Sequence, residues 1–351
     1  MPKRKGTQLR FIDLFAGIGG MRLGFERAGC CCVFASEWDV HSQKTYCANF
    51  GDMPSGDITK INAAEIPSFD ILTAGFPCQP FSSIGQRQGF KHKTQGTLFF
   101  DVARILEHHR PRAFLLENVA GLATHDKGRT LQTIFDVLQE LRYDVWCSVL
   151  DAADYGVPQH RERIYIVGMR VDSRRRPIHG LNAKLPLIAS VCQHSKRFIW
   201  PKSRKGPVGV GQFIERNVEG YEISKHLQKV YIFKKADGRP QVVDRNSNFP
   251  VKTLVASYHK IQRLTGTFVS DGPTNLRLLT AAECKAIMGF PARFKLVGSR
   301  TQMYRQMGNS VAVPVIAMIA RRLTKVIKAE AAISRAMHVV MAPGGEFVDG
   351  R

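Results

Sequence analysis

Between residues 10 and 170, short apolar runs alternate with segments whose apolar residues recur at helical spacing. Few chains with that alternation can fold in more than one way. Residues 10–15, 31–36, 69–74, 113–116, 143–150 and 163–169 read as strands. Helices are expected from about Met21, over 39–50, through Val102, Ile105 and Leu106 until Pro111, and through Leu131, Ile134, Leu138 and Leu141. Strands and helices in that order predict an α/β fold, a doubly wound and mostly parallel sheet. In such sheets ligands bind at the carboxyl ends of the strands.

After Met169 the texture changes. Residues 174–275 are basic and rich in Pro, Gly and Ser, with short strand-like pieces such as 251–257. Helical character returns at Thr280, and Pro314 is tolerated in the first turn of the last helix. The glycine-rich end, 341–351, is expected to fray. The chain therefore reads as a large domain over 1–172, a smaller one over 173–276, a return to the first over 277–330 and a tail over 331–351. Charge sharpens the division. Lys+Arg 51 against Asp+Glu 29 leaves a net +22, and residues 171–275 alone carry 19 basic and 7 acidic residues. An excess of that size points to a polyanion, most commonly nucleic acid. With 44% hydrophobic residues the chain can build a core. No apolar run of eighteen residues suggests a membrane span, and no apolar stretch follows the basic start as a secretory signal would. The eight cysteines, three of them adjacent at 30–32, suit neither zinc spacing nor a disulfide framework. A reduced, cytoplasmic chain without a metal is expected.

Four constellations carry chemistry. Phe15-Ala16-Gly17-Ile18-Gly19-Gly20 lies between a strand and a helix, where glycines let the backbone turn tightly beside a ligand. Alone it is only a turn. Glu37 ends the second strand, where an acid commonly holds ribose hydroxyls, and Asp57 follows Gly56. Together they describe a nucleoside pocket, with no lysine to grip phosphates. Gly75-Phe76-Pro77-Cys78-Gln79-Pro80-Phe81-Ser82 follows the third strand. A cysteine between prolines fits neither a helix nor a central strand, so Cys78 alone among the cysteines reads as a nucleophile. Glu117-Asn118-Val119 puts an acid at a strand tip, either near a reacting ring or in a cap or ion pair. Arg161 and Arg163, in Gln159-His160-Arg161-Glu162-Arg163, alternate so as to project together, unless they are an ordinary solvated charge run.

With these motifs in this order, the chain resembles the bacterial DNA cytosine-5 methyltransferases of restriction–modification systems. The likeness covers roughly 9–170 and 276–325 and includes Gln306-Met307-Gly308-Asn309-Ser310-Val311. It implies a Rossmann-like methyltransferase sheet with a basic target-recognition domain over 173–276. It also implies methyl transfer from S-adenosylmethionine to carbon 5 of a cytosine flipped out of double-stranded DNA. By resemblance the catalytic residues are Cys78, Glu117, Arg161 and Arg163. Glu117 serves ring nitrogen 3, Arg163 the ring oxygen, and either arginine lowers the Cys78 pKa. The cofactor falls to Phe15, Ala16, Gly17, Ile18, Gly19, Gly20, Glu37, Trp38, Asp57, Ile58, Pro77, Leu98, Asn309, Ser310 and Val311. DNA falls to Gln79, Ser82, Ser83, Thr253 and Leu254, with the glycine-bearing loop 82–97 closing over it. A monomer paired with a restriction endonuclease is expected. One block departs from the family pattern: the arginines usual just before Glu283 and at Ala286 are absent. Three rivals are weaker. A nicotinamide dehydrogenase does not explain Pro77-Cys78-Gln79. A non-catalytic DNA-binding protein does not need Cys78, Glu117 and Arg163. A transfer RNA cytosine-5 methyltransferase does not need so large a basic segment.

Overall fold

A computed structural model describes residues 8–77, 98–171, 197–204, 206–271 and 276–340. Six strands form one mixed sheet: β1 (Arg10–Leu14), β2 (Cys31–Ser36), β3 (Ile71–Gly75), β4 (Ala113–Val119), β5 (Tyr143–Asp151) and β6 (Glu162–Arg170), in the order β2-β1-β3-β4-β6-β5. β1 to β4 pair in parallel, whereas β6 runs antiparallel to both β4 and β5. That single reversal matters for the site. It brings the beginning of β6 to the edge where β3 and β4 end, with Val119 opposite Arg163 and Glu117 opposite Tyr165.

Successive strand residues face opposite sides. Ile12, Leu14, Leu72, Phe114 and Leu116 pack under α3 (Leu98–His109) and α4 (Arg129–Glu140). Phe11, Ile71, Leu115 and Val167 meet α1 (Gly20–Arg27) and the long last helix. α2 (Val40–Phe50) begins where Asp39 accepts a hydrogen bond from the His41 N–H, an N-cap typical of Asp.

Beyond residue 206 the chain forms a three-stranded sheet of β7 (Gln241–Val243), β8 (Thr267–Ser270) and β9 (Leu276–Arg277). Its buried side chains, among them Ile232, Val243, Leu254 and Phe268, share one core with α5 (Ala281–Met288) and α6 (Arg300–Asn309). α7 (Val313–Val340) then returns to the large sheet. The expected strand-like piece at 251–257 pairs only once, Val251 with Gln159, and is otherwise irregular. Side chains of Gln159 and Arg161 occupy its backbone groups in place of a neighbouring strand, as described below.

Near the departure seen in sequence, Arg277 pairs with Glu283. It is wholly buried, and its guanidinium donates to both Glu283 oxygens at 2.9 and 2.8 Å, to Asp271 at 3.0 Å and to the Glu215 carbonyl at 3.1 Å. Glu283 also accepts the Thr280 and Glu215 N–H groups and closes the capping box of α5. Every polar atom of the pair has a partner, the condition under which a buried ion pair is tolerable. Among the described residues no group of His, Cys, Asp or Glu is arranged to hold a metal. No described helix is long and apolar enough to cross a membrane.

Candidate active site

The glycine turn forms one wall. Phe15, Gly17 and Gly19 have positive φ, a conformation that costs glycine nothing and lets the chain double back before α1. Glu37 ties this turn to the next one. One of its oxygens accepts the Gly17 N–H at 2.7 Å and the other the Asp39 N–H at 2.8 Å. Burial pushes the Glu37 carboxyl up despite these bonds. Beside it the Trp38 ring stands 77% exposed, an open aromatic face at the ligand edge suited to stack on a purine. Among the described residues, no atom beyond its chain neighbours lies within 4 Å of where a Gly17 Cβ would be. Asp57 caps a 3-10 turn through the Thr59 N–H and hydroxyl, which hold its carboxyl below the usual range. These features fit a nucleoside without phosphates.

The remaining expected cofactor residues divide. Ile18 and Ile58 are core side chains, and Ala16 is buried. Ser310 and Val311 crowd the start of α1 so closely that a Cβ on Gly20 would lie 2.8 Å from each. Asn309, at the end of α6, and Pro77 are exposed. Leu98 opens α3. Behind the turn, Asp13 is fully buried. Thr73 donates to one of its oxygens at 2.8 Å, the other has no partner among the described residues, and burial raises its pKa to about 7.

The second wall is the carboxyl edge of β3 and β4. Glu117, 8% exposed, lies two residues before the end of β4 opposite Gly75, whose added Cβ would meet its oxygen at 3.5 Å. Arg163 reaches it from the start of β6, Nε to Oε1 at 3.1 Å. Burial outweighs Arg163 and Arg161 and raises the Glu117 pKa. A carboxyl so placed retains a proton more readily than one in water. Asn118 donates to the Phe76 carbonyl at 2.9 Å and so pins the chain just before Pro77. Cys78, Gln79, Ser82 and Ser83, with the expected closing loop, lie outside the described residues.

Arg161 and Arg163, expected to project together, bind different partners. Arg161 is 3% exposed and donates to the carbonyls of Leu254 at 3.1 Å, Gly308 at 3.0 Å and Ser310 at 2.5 Å. Without a carboxylate in direct contact among the described residues, burial pushes its pKa down to about 10. Gln159, fully buried, accepts the Leu254 N–H at 2.8 Å and donates to the Ile287 carbonyl at 3.0 Å. Thr253 donates its hydroxyl to the His160 carbonyl at 2.6 Å. The Leu254 side chain lies in the core. His160 Nδ1 is 2.7 Å from Asp151, whose other oxygen accepts the Arg161 N–H. Thr253, His160, Arg163, Glu162, Asp151 and Ala120 line an open cavity of about 420 Å³ beside Glu117. Asn118, Gln159 and Asp151 were not assigned roles from sequence. The first two lie inside motifs that were recognised. Asp151 carries no motif, and only its partners reveal it.

The chain is similar to known proteins. The family described as C-5 cytosine-specific DNA methylase matches residues 9–325. The type II methyltransferase M.BsuFI of Bacillus subtilis is 53% identical over 319 residues, 91% of this chain and 73% of that protein. M.HhaI of Haemophilus parahaemolyticus is 39% identical, over 90% of this chain and 94% of its own. Among solved structures, a DNMT2 of Spodoptera frugiperda superimposes with a TM-score of 0.70 at 22% identity, covering 92% of this chain and 100% of that one. A putative DNA modification methyltransferase of an E. coli prophage does so at 0.62, also at 22% identity, over 92% and 100%.

Proposed function

The chain belongs to the C-5 cytosine-specific DNA methylase family, and from that premise we propose which of its residues carry out the reaction. It is a DNA cytosine-5-methyltransferase, and its family and fold make it dependent on S-adenosylmethionine. The observation that carries the assignment of roles is the Glu117–Arg163 pair at the end of β4, beside the chain that leads through Pro77 to Cys78.

Carbon 5 of cytosine is a weak nucleophile. The Cys78 thiolate adds to carbon 6 of a flipped-out base, forming a C–S bond, while the Glu117 carboxyl gives its proton to ring nitrogen 3. The product is a neutral enamine with a nucleophilic carbon 5. Arg163 stabilises the carboxylate left on Glu117 and is the expected partner of the ring oxygen. The buried charge of Arg161 adds to the positive field that favours a thiolate. S-adenosylmethionine, when bound, supplies an electrophilic methyl group on a sulfonium. Glu37, Asp57, Trp38 and the glycine turn hold its nucleoside, with Phe15, Leu98 and Asn309 around it. After methylation the carbon 5 proton leaves to solvent, the nitrogen 3 proton returns to Glu117, and the C–S bond breaks to restore ring and thiolate. Residues 173–276 choose the sequence. A restriction endonuclease is the expected counterpart, since the relatives carry type II names, and the enzyme is expected to be a monomer in the cytoplasm.

The test is covalent trapping. In DNA carrying 5-fluorocytosine at the target, fluorine cannot leave as a proton does, so elimination stalls and the adduct accumulates. Peptide mapping is expected to find it on Cys78, and Cys78→Ser to form none. Cys147 and Cys284 are 1% and 0% exposed, so an adduct on either would overturn the site. Methyl transfer to duplex DNA against transfer RNA tests the remaining rival, which the type II relatives make the weaker one.

A further inference from the structure

One side of α7 packs on the large sheet, and its middle turns carry charge of a single sign on the other. Arg321, Arg322, Lys325 and Lys328 are exposed, and no acid occurs over 313–329. Among the described residues, none of these four side chains has a hydrogen bond or ion pair. Arg27, exposed in the last turn of α1, joins them. Burial and the neighbouring Arg321 charge both push the Arg27 pKa down. Acids on the adjoining elements are already taken. Glu26 accepts from Arg22 at 2.7 Å and Glu330 from Arg197 at 3.0 Å. Asp70 accepts the Arg10 N–H at 2.9 Å and lies 3.5 Å from Arg112.

The stripe carries a cost. Lys325 stands four residues from Arg321 and three from Arg322 and Lys328, spacings at which like charges on a helix repel. The helix dipole does not offset this, because α7 continues to Val340, well past its charged turns. A surface tuned only for solubility intersperses the two signs.

Its place in the fold separates it from the active site. α1 and α7 run side by side in one direction: Val311 crowds Gly20, Ile316 leaves no room for a side chain at Gly24, and the Arg321 charge reaches Arg27. Further along, Lys328 and Asp70 both act on the buried Cys30 thiol. Cys30 precedes β2 and Asp70 precedes β3, so the stripe ends at the amino edge of the sheet. Glu117 and Arg163 lie toward the carboxyl edge. DNA seated there leaves the stripe open to a second segment.

We propose that Arg27, Arg321, Arg322, Lys325 and Lys328 form a second binding surface for duplex DNA, which holds a segment apart from the one being methylated. The identity of the polyanion rests on the DNA methyltransferase reading. From Arg321 to Lys328 the helix rises about 10 Å, a length over which a duplex presents about six phosphates. A membrane surface is the poorer fit: Ile316, Ile319, Leu323 and Ile327 are buried in the core, so this stretch of α7 has no apolar face left to enter lipid. Two segments held at once let the enzyme pass from one to the other without returning to solution.

Sedimentation of the full chain with an excess of short random-sequence duplex counts the DNA bound per chain. Wild type is expected to bind two duplexes. Binding of the second is expected to depend on salt with a log–log slope of about 4.5, five contacts at about 0.9 each. R321A/R322A/K325A/K328A, in which alanine preserves the helix, is expected to bind one, with the affinity of that remaining duplex unchanged. R321K/R322K keeps the charge and is expected to bind two. One duplex per wild-type chain, or two per chain of the alanine variant, overturns the proposal, and so does loss of the second duplex from R321K/R322K. If wild type binds one duplex and methylates DNA, only the second surface fails. A wild type that neither binds nor methylates duplex DNA overturns the reading beneath it as well.

Discussion

Glu117→Gln separates what Glu117 does for catalysis from what it does for the fold. At the 3.1 Å observed, the attraction between Glu117 and Arg163 is about 5 kcal/mol for an effective dielectric of about 20. Against it stands the cost of keeping a carboxylate out of water, several kcal/mol for a site this enclosed. The second exceeds the first, since burial raises the Glu117 pKa although two arginines oppose it. Replacing the charge with an amide thus removes two opposed quantities of similar size, and stability is expected to change by less than about 2 kcal/mol. Catalysis has no such compensation. An amide cannot give up a proton, so methyl transfer is expected to slow by ~10²–10⁴, equivalent to about 3–5 kcal/mol of barrier. The sign of the pH effect follows. The reactive form of Glu117 is protonated, so wild-type single-turnover rates contain a limb that falls as pH rises through its raised pKa. Glu117→Gln lacks that limb. The assays are urea unfolding, single-turnover methylation across pH and the rate of 5-fluorocytosine trapping. A variant within about threefold of wild type, or one that keeps the falling limb, would refute a general acid at this position.

Three further outcomes are expected. Glu37→Ala removes a carboxylate that holds two backbone N–H groups and is expected to weaken cofactor binding about tenfold or more, with Asp57→Ala weaker in effect; calorimetry showing wild-type affinity in both places the nucleoside elsewhere. Arg277→Met strands the buried Glu283 charge and is expected to cost about 3–5 kcal/mol in denaturant unfolding, much of it recovered when Glu283→Leu is added; an equally unstable double variant would show that packing, not charge, holds this junction. Asp13 ionises near 3.8 unfolded but about 7 folded. From about pH 4 to 7 the unfolded chain therefore sheds a proton that the native chain keeps, and the native state loses ground as pH rises. Asp13→Asn is expected to flatten that decline, and parallel melting curves across this range count against it.

The sequence alone determined the broad outcome. All six strands of the large sheet were legible because each is a short, mostly apolar run, largely buried in the four central strands. The glycine turn stood out because a reversal between strand and helix calls for positive φ, and Glu37 and Glu117 stood out as acids at or near the ends of apolar runs. Departures arose where one residue's role depends on another far along the chain. Apolar runs look alike in either direction, so the reversal of β6, which carries Arg163 to Glu117, could not be read from pattern. Arg161 and Arg163 share a strand period, yet one meets a carboxylate and the other three carbonyls 93 to 149 residues away. The same holds for Gln159, Arg263 and Arg277, polar side chains whose backbone or carboxylate partners exist only once the chain has folded around them. Periodicity records which side chains are removed from water. Which donor then meets which acceptor is set by the path of the backbone between them, and only the tertiary structure decides that.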